Sequence, residues 1–146
     1  RERFGAQVCI VLRDFPLERH QHAYRGALAG EAARAQGKFW EFVEAVHGAN
    51  GELSDQTFLR AAEEVGLDLA RFREDMAGPA ARRAVDADVR RGMEIGIDST
   101  PAVYVAGRRV RLTETNALIE AIEAALQSSS GARLVSPVDT VVDQRQ

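Results

Sequence analysis

The sequence predicts an α/β fold in which a block of helices is inserted between strand-bearing ends. Three observations carry that reading. An apolar, β-branched run, QVCIVL at Gln7–Leu12, lies near the start. From His20 to about Ala77 the apolar side chains recur with helical spacing. Two short strand-like runs, Ala102–Val105 and Arg109–Leu112, are joined by Ala106-Gly107-Arg108 and followed by one more amphipathic stretch. Strands and helices thus alternate at the two ends, with helices clustered between.

The chain has 146 residues, enough for one domain with a sizeable core. Hydrophobic residues make up 45% and charged residues 28%, a soluble globular composition. A formal net charge of −3 argues against a general nucleic-acid or anionic-membrane binder. No apolar run approaches the roughly 20 residues of a membrane helix, so no direct membrane insertion is expected. The chain opens RERFG without an initiator Met and reads as cut from something longer. A single cysteine, Cys9, excludes an internal disulfide and any Cys-x-x-Cys within these residues.

The elements follow in order. Arg1–Gly5 reads as the last turn of a helix closed by Gly5. Gln7–Leu12 suits a strand covered on both faces, ended by Pro16. His22–Gln36 is alanine-rich and strongly helical, and Gly37 interrupts it. Lys38–Gly48 carries Phe39, Phe42, Val43 and Val46 at helical spacing. Ala49-Asn50-Gly51 is a turn. Ser54 is a candidate N-cap for Asp55–Val65, which directs Phe58, Leu59 and Ala62 inward and stops at Gly66. Asp68 caps a short helix to Met76, and Gly78-Pro79 breaks the chain. Ala80–Ile95 is amphipathic, with Val85, Val89 and Met93 expected on the inward face and Gly96 as the stop. The two runs around Ala106-Gly107 read as a hairpin. Thr113 caps a final helix to about Gln127, whose Leu118, Ile119, Ile122 and Leu126 form one stripe. Residues 128–146 read as a linker or tail.

Several constellations have a bland reading and a chemical one. His20, His22 and His47 lack the spacing and companions of a tetrahedral metal site, so no metal is expected. Phe39 and Trp40 are expected to pack the helical insertion onto the sheet. Arg108, Arg109 and Arg111 fit a charged, protected edge strand. Glu63-Glu64 and Asp86/Asp88 look like exposed helix faces. Cys9, flanked by Val8 and Ile10, is expected to be a small, inert core residue; rapid thiol labelling would overturn that.

The stretch GIDSTPAVYVAG, Gly96–Gly107, holds the most specific feature. Pro101 stands at the mouth of a strand, where it cannot donate to the ladder. From the residues alone, a trans, strand-opening proline is the default, since only about 5–6% of X-Pro bonds are cis.

Four phrases in order change that. LRDFPLERHQHA, AQGKFWEF, EEVGLDLARF and GIDSTPAVYVAGRRV together resemble the DsbA-like branch of the thioredoxin fold, over most of Val8–Leu126. The resemblance implies a thioredoxin-like α/β fold with a helical insertion at about 20–79, a domain over 1–127 and a tail at 128–146. It implies a cis-proline at Pro101, with Thr100 offering main-chain groups to a substrate peptide. It implies thiol–disulfide chemistry on cysteine-containing proteins or peptides, a redox partner protein, no cofactor and a periplasmic or extracytoplasmic setting.

The sequence departs from the family at the reactive half of the site. The family's Cys-x-x-Cys follows its first strand, and neither is present, so these residues hold no catalytic group of that kind. The missing strand belongs between Gln7–Leu12 and Ala102–Val105. It is expected from an upstream segment or from a partner by strand exchange or homo-oligomerisation, unless the sheet closes differently; LVSPVDTVV in the tail is one conceivable donor. The competing reading is a redox-inactive thioredoxin-like binding or regulatory module, fused to a larger and even a membrane protein. A Cys-x-x-Cys about ten to fifteen residues before Arg1 supports the enzyme, and other residues there support the module. A helical DNA-binding protein fits the acidic balance poorly.

Overall fold

In a computed structural model of the chain, residues 3–49, 53–112 and 116–129 are described. Contacts divide the chain into two compact units, Val11–Thr100 on the one hand and Arg1–Ile10 with Pro101–Gln146 on the other.

The first unit is built on α1, Ala23–Ala35. Its alanines favour the helix and also keep it thin, so that neighbours approach closely. Ala27, Leu28, Ala29, Ala32 and Ala33 are all buried. Around α1 stand α2 (Phe39–Gly48), α3 (Asp55–Glu64), α4 (Leu69–Ala77) and α5 (Pro79–Glu94). They bring Phe42, Phe58, Phe72, Met76 and Val85 into one core with the α1 alanines.

The caps read from the sequence are present. Ser54 Oγ accepts from the Thr57 amide at 3.2 Å, opening α3. Asp68 Oδ1 accepts from Ala70 and Arg71 at 2.9 and 3.0 Å, opening α4. Both occupy amides that the first turn of a helix leaves without partners. Gln36, at the end of α1, also grips this start: its Oε1 accepts from the Asp68 amide at 2.9 Å. Arg71 Nη2 donates back to the Ala35 carbonyl at 3.1 Å. Lys38 Nζ donates to the Val65 and Gly66 carbonyls, closing the end of α3. The sequence thus specifies the helix ends, and those same end groups tie α1 to α3 and α4.

The second unit holds a hairpin of β1 (Val103–Val105) and β2 (Arg108–Val110), and α6 (Ala117–Ser129) packs against both strands. The strands are antiparallel, with Val103 opposite Val110, Tyr104 opposite Arg109 and Val105 opposite Arg108. The two-residue loop places Ala106 at φ 47° and Gly107 at φ 78°. A tight hairpin turn whose twist matches its strands needs positive φ at both positions. Gly107 adopts it freely, whereas a β-carbon there costs about 1–2 kcal/mol. Ala106→Asn is therefore expected to stabilise the hairpin by about 0.5–1 kcal/mol, read as slower amide exchange at Val105 and Arg108. Arg3 pairs with Glu123 of α6 at 2.7 Å within this unit. The predicted cap Thr113 lies outside the described residues, as does the tail from 130 onward.

Several expectations are corrected. Gln7–Leu12 is not a strand. Gly5–Gln7 form a 3-10 turn and the chain then runs extended without ladder bonds, Val8 lying at φ −126°, ψ 125°. Ile10, Val11 and Leu12 remain 49, 65 and 38% exposed. An extended apolar run becomes a strand only when a neighbour accepts and donates along it, and among the described residues none does. Cys9 is exposed for the same reason rather than buried. Arg1 and Glu2 lie outside the described residues, and the turn at Gly5 begins a 3-10 element instead of ending a helix. Met93 is 65% exposed, not inward. Trp40 is 38% exposed and touches Phe39 edge-on at 5.3 Å. Phe39 is buried within the helical unit, its ring 3.3 Å from where a β-carbon on Gly30 of α1 would sit.

Candidate functional site

Thr100 is the last residue of the helical unit and Pro101 the first of the other; both are exposed. β1 begins two residues after Pro101, at Val103. The approach to Thr100 is set by how α5 ends. The amides of Gly96 and Ile97 donate to the Met93 and Gly92 carbonyls at 3.0 and 2.9 Å, which turns the chain off the helix. Ser99 Oγ then donates to Asp98 Oδ1 at 2.9 Å. Thr100 thus leaves a well-defined helix end as an exposed hydroxyl residue.

That helix end is in turn positioned by the loop before α1. A β-carbon on buried Gly92 would lie 2.6 and 2.7 Å from Cδ2 and Cε2 of Phe15, and 3.8 Å from Cβ of Ile97. No side chain fits there, so the Phe15 ring rests directly on the α5 backbone one turn before Thr100's segment begins. The sequence carried a signal for this: a glycine inside an amphipathic helix weakens it unless something packs against it.

Beside Phe15, Asp88 of α5 holds the same loop. Its Oδ2 accepts from the Asp14 amide at 3.0 Å, and its Oδ1 accepts from Arg13 Nη1 at 3.2 Å. The Asp88 side chain is only 16% exposed, so it is not the solvated face expected for the Asp86/Asp88 pair. Asp86 is exposed, but it accepts from the Tyr24 hydroxyl of α1 at 2.9 Å.

The Asp14 carboxyl is pushed up from 3.8 to about 7. Burial is the main cause, followed by the negative charge of Glu31 and then of Asp88; Arg34 opposes the rise. A hydrogen bond with the Glu31 carboxyl adds a smaller upward push on Asp14. Arg34 Nε donates to Glu31 Oε1 at 2.8 Å. Below pH 3.8 Asp14 is protonated folded and unfolded alike. As pH rises from 3.8 to about 7, the unfolded chain releases this proton first, so stability from this group falls across that window.

The basic residues Arg108, Arg109 and Arg111 are exposed on and beside β2. Among the described residues no His, Cys, Asp and Glu cluster with metal-holding geometry occurs, and no helix is long and apolar enough to cross a membrane.

Comparison with known proteins identifies the family. The family model of the DSBA-like thioredoxin domain matches residues 2–127. A solved thioredoxin-like oxidoreductase from Silicibacter pomeroyi superposes with a TM-score of 0.69 at 29% identity, covering 79% of this chain and 66% of that one. The Na(+)/H(+) antiporter NhaA of Herminiimonas arsenicoxydans is 35% identical over 76% of this chain, and NhaA 1 of Salinispora arenicola is 36% identical over 93%. The match spans only 18% and 21% of those two proteins, so the chain is about a fifth of the length of these curated relatives. On the family match over residues 2–127, the chain belongs to the DSBA-like thioredoxin-domain family.

Proposed function

We propose that the intact protein is a thiol–disulfide oxidoreductase acting on cysteine-containing proteins or peptides. The observation that supports this reading is the family match over residues 2–127; Thr100-Pro101, which lie within that range, are proposed as the substrate loop. In the proposed reaction a thiolate from a Cys-x-x-Cys outside these residues attacks a substrate disulfide. A mixed disulfide forms and the first substrate sulfur leaves as a thiolate; the second cysteine then displaces the other, leaving the substrate reduced and the enzyme dithiol oxidised. The reverse direction oxidises a substrate dithiol. Pro101, as a cis-proline, turns the backbone so that Thr100 presents main-chain groups to an extended peptide. The strand that carries the dithiol is proposed to cover the unpaired run at Gln7–Leu12.

The 146-residue chain alone, with only Cys9, is expected to reduce insulin disulfides no faster than its Cys9→Ser variant. Measurable dithiol activity from the chain alone refutes the assignment. The parent protein with its upstream residues is expected to be active, and Pro101→Ala to impair it.

A second reading is favoured by the relatives. The chain matches about a fifth of proteins named as Na(+)/H(+) antiporters, which supports a thioredoxin-like module fused to a membrane transporter. An upstream sequence without a Cys-x-x-Cys in the parent gene decides for that module.

A further inference from the structure

We propose that Phe15 is a positioning residue for Thr100: from a loop distant in the chain, its ring supplies the side-chain contact that the end of α5 lacks, and so fixes the direction in which the chain leaves for Thr100. The backbone at that end has a recognisable pattern. The Ile97 amide donates to the Gly92 carbonyl at 2.9 Å, and the Gly96 amide donates to the Met93 carbonyl at 3.0 Å, with Gly96 at φ 75°. Two nested bonds around a left-handed residue make a Schellman ending. Such an ending is commonly sealed by an apolar contact from the residue after the left-handed one, here Ile97. Its partner is the side chain at the residue whose carbonyl it reaches, or at the one before. In α5 those residues are Gly92, which has no side chain, and Arg91, which is exposed. The ending therefore lacks an apolar seal from within its own helix.

The loop before α1 provides one. A β-carbon on Gly92 would lie 2.6 and 2.7 Å from Cδ2 and Cε2 of Phe15, so the ring occupies the space of the missing side chain. The same position is 3.8 Å from Cβ of Ile97, an ordinary contact distance. Ring and Ile97 thus border one spot on α5, and both are half-buried. Asp88, one helical turn before Gly92, anchors the loop: its Oδ2 accepts from the Asp14 amide at 3.0 Å, next in the chain to Phe15. Apolar cover at a helix end keeps water from competing for the last carbonyls. Only Asp98 and Ser99 separate Ile97 from Thr100, so the angle of this stop passes directly to Thr100. The sealed helix end is independent of the redox chemistry; its consequence for a substrate peptide rests on the thiol–disulfide reading.

Amide exchange of the full chain at fixed pH reads the helix end without turnover, with Val89 inside α5 as the reference. Phe15→Ala is expected to lower protection at Gly96 and Ile97 about tenfold relative to Val89. Phe15→Leu keeps an apolar cover and is expected to restore most of it. Gly92→Ala in the Phe15→Ala chain sets a β-carbon beside Ile97 and is expected to recover part of the loss; reading it against Val89 removes the gain from helix propensity. Ile97 protection unchanged in Phe15→Ala, or a loss of equal size at Val89, overturns the proposal. A wild-type Ile97 amide exchanging at its unprotected rate does so whether or not any variant folds. In the parent protein, Phe15→Ala is expected to raise KM for insulin about threefold or more and to change kcat less. A fall in kcat with KM unmoved overturns the positioning of substrate. A wild-type parent protein inactive on insulin defeats the thiol–disulfide reading instead, and the exchange result still decides the helix end.

Discussion

Phe72→Ala should cost about 3–5 kcal/mol, the range for emptying a fully buried aromatic position. Phe72 is 0% exposed on α4, and its ring meets that of Phe42 on α2 with centroids 5.6 Å apart at 49°. The loss should fall toward the upper end because of what surrounds it. α1 contributes four alanines and one leucine to this core, and alanines have no rotamers with which to fill a vacated ring volume. The aromatic contact with Phe42 is lost as well. Against a total stability of about 5–15 kcal/mol, the variant should be largely unfolded at moderate urea. Urea denaturation followed by circular dichroism measures it, with Phe72→Leu as the milder control. A loss below about 1 kcal/mol would mean that α4 is not seated on α1 as described.

Gly92→Ala should destabilise by about 1–2 kcal/mol, although alanine is the better helix former. Two effects compete. Alanine in a helix interior gains about 0.8–1 kcal/mol over glycine. The new β-carbon, however, would lie 2.6 Å from the Phe15 ring, and overpacking of this kind costs about 1–3 kcal/mol. Phe15 is only partly buried, so the ring can shift, but it must then leave the α5 backbone and draw Asp14 from Asp88. The collision outweighs the propensity. The decisive measurement is a double-mutant cycle. In a Phe15→Ala background the obstacle is gone, and Gly92→Ala should instead stabilise by about 0.5–1 kcal/mol. The same sign in both backgrounds would mean that Phe15 does not rest on Gly92.

The apolar pattern of α5 points only in part to its buried face. Val85, Val89 and Met93 form an i, i+4, i+8 series, yet each step of four advances about 40° around the helix. Met93 therefore stands about 80° from Val85, while Gly92, seven residues on, stands within about 20°. The buried line runs through Ala81, Val85 and Gly92. A glycine has no hydropathy to contribute, so the apolar pattern passed over the residue that makes the contact. Asp88 was missed for a related reason: a carboxylate on a helix reads as solvent-facing until the loop amide it accepts from is placed beside it. The Asp14–Glu31 pair spans 17 positions, and no local pattern announces it.

The amino-acid sequence alone determined the helices, their caps at Ser54 and Asp68 and the hairpin at Ala106-Gly107, because these depend on groups within a few residues of one another. It also carried the ordered phrases by which the family could be named. Tertiary structure decided the rest: that Gln7–Leu12 finds no ladder partner among the described residues, with Cys9 exposed, that Phe15 occupies the space above Gly92, and that Asp14 keeps its proton to about pH 7. Ladder bonds, close packing and desolvation all require a partner distant in the chain, and only folding supplies or withholds that partner.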